Sequence, residues 1–211
     1  MARPVLFVLA GVNGAGKSSV GGYLLQRAGL AWFNPDSYAR ELVAATGCGQ
    51  TEANAAAWQE GLRRLDAALA QGRNHAFETT LGGNTIPARI LAAAATHDVM
   101  VWYCGLASPD LHLQRVAARV VAGGHDIPET KIRERYVTAL QNLIVLLPHI
   151  AHLQVYDNSA QVAPGEPVPD PVRVAEMLAG KLSWPTTLAE LRDTPTWAKP
   201  LLEAALSFAG D

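Results

Sequence analysis

A chain of 211 residues is long enough to bury one ordinary core and leaves room for a small appendage, but not for a second large domain. Its 17 basic and 19 acidic side chains give a formal charge of −2, which excludes a global field that would draw nucleic acid or an anionic membrane; any phosphate chemistry must use local cations. Two cysteines, Cys48 and Cys104, are too few for a disulfide framework or a zinc site and predict a reduced, cytoplasmic protein.

Residues 4–10, PVLFVLA, follow Arg3 and sit at the short limit for the apolar segment of a signal peptide. They read better as a strand buried on both faces that ends at Gly11. No run of about eighteen uninterrupted apolar residues occurs, so no membrane span is expected. SSVGGYLLQRAG (18–29) has helical spacing and stops at Gly29; LAWFNPDSYARELVAA (30–45) predicts a short strand, a turn at Asn34-Pro35 and a helix that Asp36 could cap. TEANAAAWQEGLRRLDAALAQG (51–72) is the clearest helix, with Trp58, Leu62, Leu65 and Leu69 as its buried stripe and Gly72 as its stop.

HAFETT (75–80) predicts a strand that turns polar at its end, followed by LGG and a helix through residues 86–97. DVMVWYCGL (98–106) is the next buried strand, Pro109 opens a helix running to Gly123-Gly124-His125, and Pro128 opens another. The stripe of that last helix is Ile132, Tyr136, Leu140, Leu143 and Leu147, and LQVYDNS (153–159) closes the series of strands. Strands alternating with helices imply an α/β fold with a doubly wound parallel sheet. The prolines at 164, 167, 169 and 171 then mark a stiff linker leading to a small helical C-terminal tail that contains PTWAKPLLEAALSFAG. The expected organisation is a catalytic domain over residues 1–160 and a Pro-rich linker with a helical tail over 161–211, packed on the same domain.

Gly11, Gly16, Lys17 and Ser18 fit the phosphate-loop pattern G-x-x-x-x-G-K-[ST] and stand between a predicted strand and a predicted helix, the context that pattern needs. Glycines let backbone N–H groups turn inward around an anion, and the helix dipole adds to the attraction. The loop Gly11, Asn13, Gly14, Ala15, Gly16, Lys17, Ser18 and Ser19 is therefore the expected ATP site, with Lys17 on the β and γ phosphates and Ser18 on Mg2+. No predicted strand ends in an unambiguous Walker B aspartate, which weighs against motor and transporter ATPases and favours small-molecule kinases.

A phosphoryl transferase also needs a group to deprotonate the acceptor hydroxyl and cations to offset charge on the transferred group. Asp36 follows the short second strand and is either the base, a helix cap, or both. Glu78, at the polar end of its strand, could bind acceptor hydroxyls or a magnesium-bound water, with Thr79 and Thr80 beside it, or could be a solvated strand end. Arg115 and Arg119 share one helix face, roughly opposite Leu113, Val116 and Val120, which usually means solvent. Yet Gly123 and Gly124 can hinge, and the next helix brings Arg133 and Arg135 back, so residues 108–147 read as an arginine lid closing on ATP. Spacing cannot choose between Arg133 and Arg135, which flank the stripe on opposite sides, and His125 reads as a packing residue of the hinge.

GVNGAGKSS, NPDSYA, FETTL, RVAARVVAGGHDIPETKIRERY with NLIVLL, and YDNS resemble, in this order, the zeta toxin family and its predicted P-loop kinase relatives. The resemblance runs from about residue 4 to 159; the loop motif is generic, and the GGHDIP segment is more specific. It implies a P-loop NTPase fold of the nucleotide-kinase type and phosphorylation of a sugar hydroxyl in UDP-N-acetylglucosamine, with an antitoxin protein as partner. Carried over residue by residue, it makes Lys17 and Ser18 the ATP and magnesium positions and Asp36 the general base; Glu78 and Thr79 contact the sugar nucleotide, and Arg119 and Arg135 clamp phosphate, with Arg115 and Arg133 as rivals. The chain departs from the family in being shorter than many toxins and compact between Glu78 and Asp98. Other readings are a kinase for an antibiotic or nucleoside, or a non-catalytic ATP-binding module that controls a partner. Nucleic acid is disfavoured as a partner by the acidic balance and the lack of a basic tract with interleaved aromatics.

Overall fold

The apolar run near the N-terminus forms β1 (Val5–Ala10), buried from Leu6 onward because the sheet is covered on both of its faces there. The computed structural model describes residues 2–27, 31–162 and 166–208. After β1 come α1 (Lys17–Arg27), α2 (Pro35–Thr46), α3 (Gln50–Ala70), β2 (His75–Thr79), α4 (Thr85–Ala93), β3 (Asp98–Gly105), α5 (Pro109–Val121) and α6 (Glu129–Leu146). A 3-10 turn (Leu147–His149) leads to β4 (His152–Asp157), and then follow β5 (Val172–Leu178), β6 (Lys181–Trp184), α7 (Leu188–Arg192) and α8 (Lys199–Phe208).

The strands form one sheet in the order β2-β1-β3-β4-β5-β6. The first four are parallel, with Ala10 beside both Thr79 and Tyr103 and Gly105 beside Asp157, so four carboxyl ends line one edge. The chain runs from β1 outward to β2 and then crosses to β3 on the other side; this change of direction opens the crevice where such sheets take ligands. Leu6, Val8, Leu143, Leu146, Leu153 and Val155 belong to the main core, fully enclosed between the sheet and the helices over it.

Several expectations change at the level of packing. The short strand before Asn34 is a single parallel bridge: Phe33 N–H donates to Ala76 O at 2.8 Å and Glu78 N–H donates to Phe33 O at 2.9 Å. The cap of α2 is Asn34, whose Oδ1 accepts from Ser37 N–H at 3.1 Å with Pro35 in the first turn, so Asp36 is not the cap. On α3 the buried residues are Ala53, Ala57, Leu65 and Ala68; the helix packs its small side chains against Ala39 of α2, which leaves Trp58 44% exposed rather than in the core. The expected stop at Gly29 and the proline at 164 lie outside the described residues.

The largest correction is in residues 161–211, where the linker leads into strands before any helix. β5 and β6 form a hairpin that pairs antiparallel with β4 and makes the sheet mixed. Ala179 and Gly180, at φ 47° and 75°, form its two-residue turn, a type I′ geometry that sequence signals best when Asn-Gly stands there. Arg173 and Glu176 interrupt the apolar alternation of β5, because its outer face carries the ion pair between them. Beyond the hairpin, Trp197 packs against Tyr103, and Leu201, Leu202 and Ala205 of α8 join the main core. Among the described residues no helix is long and apolar enough to cross a membrane.

Candidate phosphoryl-transfer site

The loop between β1 and α1 takes its shape from close neighbours. Gly11 has φ 138°, and a Cβ there would run into the Cys104 carbonyl on β3; Gly16 has φ 86°, and a Cβ there would meet the Asn158 amide. Side chains hold the loop's carbonyls: from outside, His112 Nδ1 lies 2.7 Å from Asn13 O and Asn158 Nδ2 donates to Ala15 O at 2.9 Å, and within the loop Lys17 Nζ donates to Val12 O at 3.3 Å. The N-terminus of α1 opens on the cavity lined by Gly14, Gly16, Lys17 and Ser18, a setting that suits an anion. Because Asn13 O can only accept, His112 carries its proton on Nδ1, and burial pushes its pKa down to about 4, so the ring stays neutral.

Glu78 is the penultimate residue of β2, beside this loop, and its carboxylate is the hub of a small network. Ser18 Oγ donates to Glu78 Oε2 at 2.8 Å, Asn34 Nδ2 donates to the same oxygen at 2.9 Å, and Lys17 Nζ stands 3.5 Å from Oε1. Both members of the Lys17–Glu78 pair are more than nine-tenths buried. A hydroxyl, a carboxylate and room for water form a hard oxygen donor set, which fits magnesium. Asp36, in the first turn of α2, faces α5 and the loop after it instead: Arg119 Nη1 lies 3.7 Å from Oδ2, and His125 Nε2 lies 4.0 Å from Oδ1.

Two cavities meet along this network. One, of about 450 Å3, is lined by the phosphate loop, Ser37 and Arg40 of α2, Arg115 and Arg119 of α5, and Gly123-Gly124. The other, of about 270 Å3, is walled by Phe33, Phe77, Leu65 and Trp58, with Thr79, Thr80, Ile86 and Arg135 at its rim. Asn13, Lys17, Asn34, Asp36, Glu78 and His125 line both, and so form the seam between a polar, cationic chamber and a largely apolar one.

The arginines separate by what they face. Arg119 donates to His125 O at 3.1 Å beside Asp36, and Arg115 donates to Ala160 O at 3.0 Å on the polar cavity's wall. Arg135 crosses from α6 to Asn13 Oδ1 at 2.8 Å, its stem packed over Gly82. Arg133 points away: it pairs with Asp110 at 2.8 Å and Glu129 at 2.7 Å on the exposed side of α6 and lines neither cavity, which corrects its expected place at the nucleotide. Thr79 Oγ1 accepts from Leu81 N–H at 3.1 Å and Thr80 Oγ1 from Gly82 N–H at 3.4 Å, while Asn142 Nδ2 donates to Leu81 O at 2.6 Å, so α6 fixes this rim.

Sequence reasoning passed over Asn34, His112, Asn158 and Trp58. Asn34 was legible only as part of a turn, and Asn158 only as a polar residue after a strand; each acquires its role through a partner 16 or more positions away. His112 sits on the apolar face of α5, where a buried histidine reads as core. His125, assigned to hinge packing, in fact lies on the seam.

The family model described as an AAA domain, AAA_33, matches residues 6–137. No curated protein matches the sequence. Among solved structures, the chain is similar to a chain of the AvrRxo1-ORF1:AvrRxo1-ORF2 complex with sulphate ions, at 17% identity and TM-score 0.64, over 92% of this chain and 64% of that one. It is similar to the PezAT chromosomal toxin-antitoxin system of Streptococcus pneumoniae at 16% identity and TM-score 0.56, over 74% of this chain and 68% of that one. A putative kinase from Chloroflexus aurantiacus is similar at 17% identity and TM-score 0.52, over 64% of this chain and 80% of that one. At such identities the likeness is one of fold, and the chain spans 64% of the length of the AvrRxo1 relative.

Proposed function

The chain belongs to the AAA domain family whose model covers residues 6–137, and from that premise we propose that it is an ATP-dependent phosphotransferase acting on a hydroxyl of a small molecule. The observation that carries this reading is the seam: a cationic chamber built on a phosphate loop opens into a separate apolar chamber, with a carboxylate, Asp36, lining both. A nucleotide hydrolase needs no second chamber for an acceptor; a transferase does.

In this reading the triphosphate lies against the loop, with Lys17 on its β and γ groups and Arg115 and Arg119 on the lid side. Ser18, with Glu78 reached through water, would hold magnesium, which supplies charge neutralisation across the phosphates when bound. The acceptor oxygen bonds to the γ-phosphorus as the bond from that phosphorus to the bridging oxygen breaks, and ADP leaves with the electron pair. Asp36 takes the hydroxyl proton and returns it to solvent. Arg119 and Arg135 offset the charge on the moving phosphoryl group, and closure of residues 108–147 around Gly123-Gly124 excludes water. The catalytic work falls to residues 1–160.

The acceptor that the zeta toxin resemblance brings forward is UDP-N-acetylglucosamine, with an antitoxin as protein partner. The fold likeness to a chain of a toxin-antitoxin system and to one of a two-protein complex supports testing that pair first. Labelled ATP incubated with the protein and a panel of UDP-sugars, nucleosides and antibiotics is expected to yield a phosphorylated acceptor. Asp36→Asn should slow that transfer by at least about 100-fold with ATP affinity intact. Unchanged turnover in Asp36→Asn would remove the assigned base.

A further inference from the structure

The chemistry of the apolar chamber says what kind of acceptor it takes. Its charged lining residues, Lys17, Asp36, Glu78 and Arg135, come from the phosphate loop, the seam and the lid. The lining residues contributed by α3 and α4 are all uncharged: Asn54, Ala57, Trp58, Gly61, Leu62, Leu65 and Ile86. A diphosphate laid against α3 would lose its water and meet no charge from that helix; Arg135, at the opposite rim, is already bonded to Asn13 Oδ1 at 2.8 Å, so the exchange is a costly one. Past Trp58 the space continues into an outlet of about 280 Å3 that Arg135 also lines and where Lys131 is ion-paired with Glu134 at 2.9 Å, so that this cation brings a carboxylate with it.

The polar groups at the uncharged end can donate. Thr79 and Thr80 each accept one backbone N–H through the hydroxyl oxygen, and each keeps its O–H to donate to a ligand. Asn54 Oδ1 accepts from Gln50 Nε2 at 2.8 Å, which leaves its amide N–H pair for the cavity. Neutral donors match hydroxyl, ether or carbonyl oxygens. Trp58 adds a broad face: it is 44% exposed although it lies on the longest helix, and it lines both the chamber and the outlet. With about 270 Å3, the chamber is at the small end for organic ligands and suits a body of one or two rings.

We infer that the acceptor is a compact, uncharged, ring-bearing alcohol, its ring laid on Trp58, its neutral oxygens bonded to Thr79, Thr80 and Asn54, and its reacting hydroxyl turned to Asp36. This rests on the phosphotransferase reading, and it departs from a sugar nucleotide in the charge it allows at the α3 end.

The test uses the full chain saturated with a non-hydrolysable ATP analogue and Mg2+, so that the nucleotide site is filled. Dissociation constants are measured by ligand-observed NMR for two matched pairs: uridine against UDP, and phenyl N-acetylglucosaminide against UDP-N-acetylglucosamine. At least one neutral probe is expected to bind, and about tenfold or more tighter than its diphosphate partner. Trp58→Ala should weaken that binding by about tenfold, and Trp58→Phe should restore most of it. Tighter binding of the diphosphates, no binding by either neutral probe, or an affinity untouched by Trp58→Ala would each overturn the inference. Transfer from labelled ATP is scored separately: a neutral ligand that binds through Trp58 but is never phosphorylated defeats the kinase reading and leaves the chemistry of the chamber standing.

Discussion

Replacing Glu78 by glutamine removes one charge from a buried pair and leaves the shape almost unchanged. Lys17 Nζ and Glu78 Oε1 are 3.5 Å apart, with side chains 7% and 9% exposed. At an effective dielectric constant of about 20, that separation corresponds to about 5 kcal/mol of attraction. The measurable loss is smaller, because the glutamine oxygen still accepts from Ser18 Oγ and Asn34 Nδ2, which now donate at 2.8 and 2.9 Å. Breaking a buried pair from one side costs about 3–5 kcal/mol, and the surviving hydrogen bonds put the expected loss near the lower bound, about 3 kcal/mol. The triphosphate should then substitute for the missing carboxylate beside Lys17. ATP in the presence of EDTA is expected to recover about 2 kcal/mol, which is about 30-fold tighter binding than in the unmodified protein. With magnesium present, transfer should fall, since the carboxylate that orients metal-bound water is gone. Urea unfolding with and without ATP, and calorimetric titration in EDTA, measure both sides of this exchange. An unchanged unfolding midpoint, or ATP affinity equal to or weaker than that of the parent, would refute the argument that Glu78 holds the place of phosphate on Lys17.

Two further outcomes separate residues that sequence alone could not rank. Arg135→Ala should lower transfer by about 100-fold or more, because it removes a preorganised cation bound to the phosphate loop, whereas Arg133→Ala should leave kcat/KM unchanged; equal effects would reverse the assignment. His112 is neutral and buried in the folded chain with its pKa near 4, while in the unfolded chain it titrates near the usual 6.5. The unfolded state therefore binds the extra proton between those values, so stability is full above about pH 6.5 and falls by about 3 kcal/mol as pH drops to 4. In His112→Asn, whose amide can still donate to Asn13 O, that part of the acid loss should vanish; parallel stability curves for the two proteins between pH 7 and 4.5 would contradict this.

What could be read from the chain was what local chemistry writes in adjacent residues. The unbroken apolar run 4–10, the glycines and lysine of residues 11–18, and the alternation of strands and helices through residue 159 specify a parallel sheet with a phosphate loop at its edge. Lys17, Ser18, Asp36 and Glu78 were visible because each stands at or just after the carboxyl end of a strand or a predicted strand. The hairpin of β5 and β6 was not, since an Ala-Gly turn and a charged outer face carry none of the usual strand and turn signals.

Tertiary structure decided which of several equivalent side chains face the site. Arg133 and Arg135 have the same chemistry and are two positions apart; only the packing of α6 over Gly82 turns one toward Asn13 and leaves the other with Asp110 and Glu129. Trp58 belongs to a helical apolar stripe by spacing, yet the small residues of α3 pack against α2 and turn it into the cleft. Asn34 capping α2, which frees Asp36, is likewise a matter of backbone direction and not of residue type. Periodicity fixes a face relative to its own helix axis; which neighbour that face meets depends on contacts between residues far apart in the chain, and those exist only once the sheet and its helices have come together.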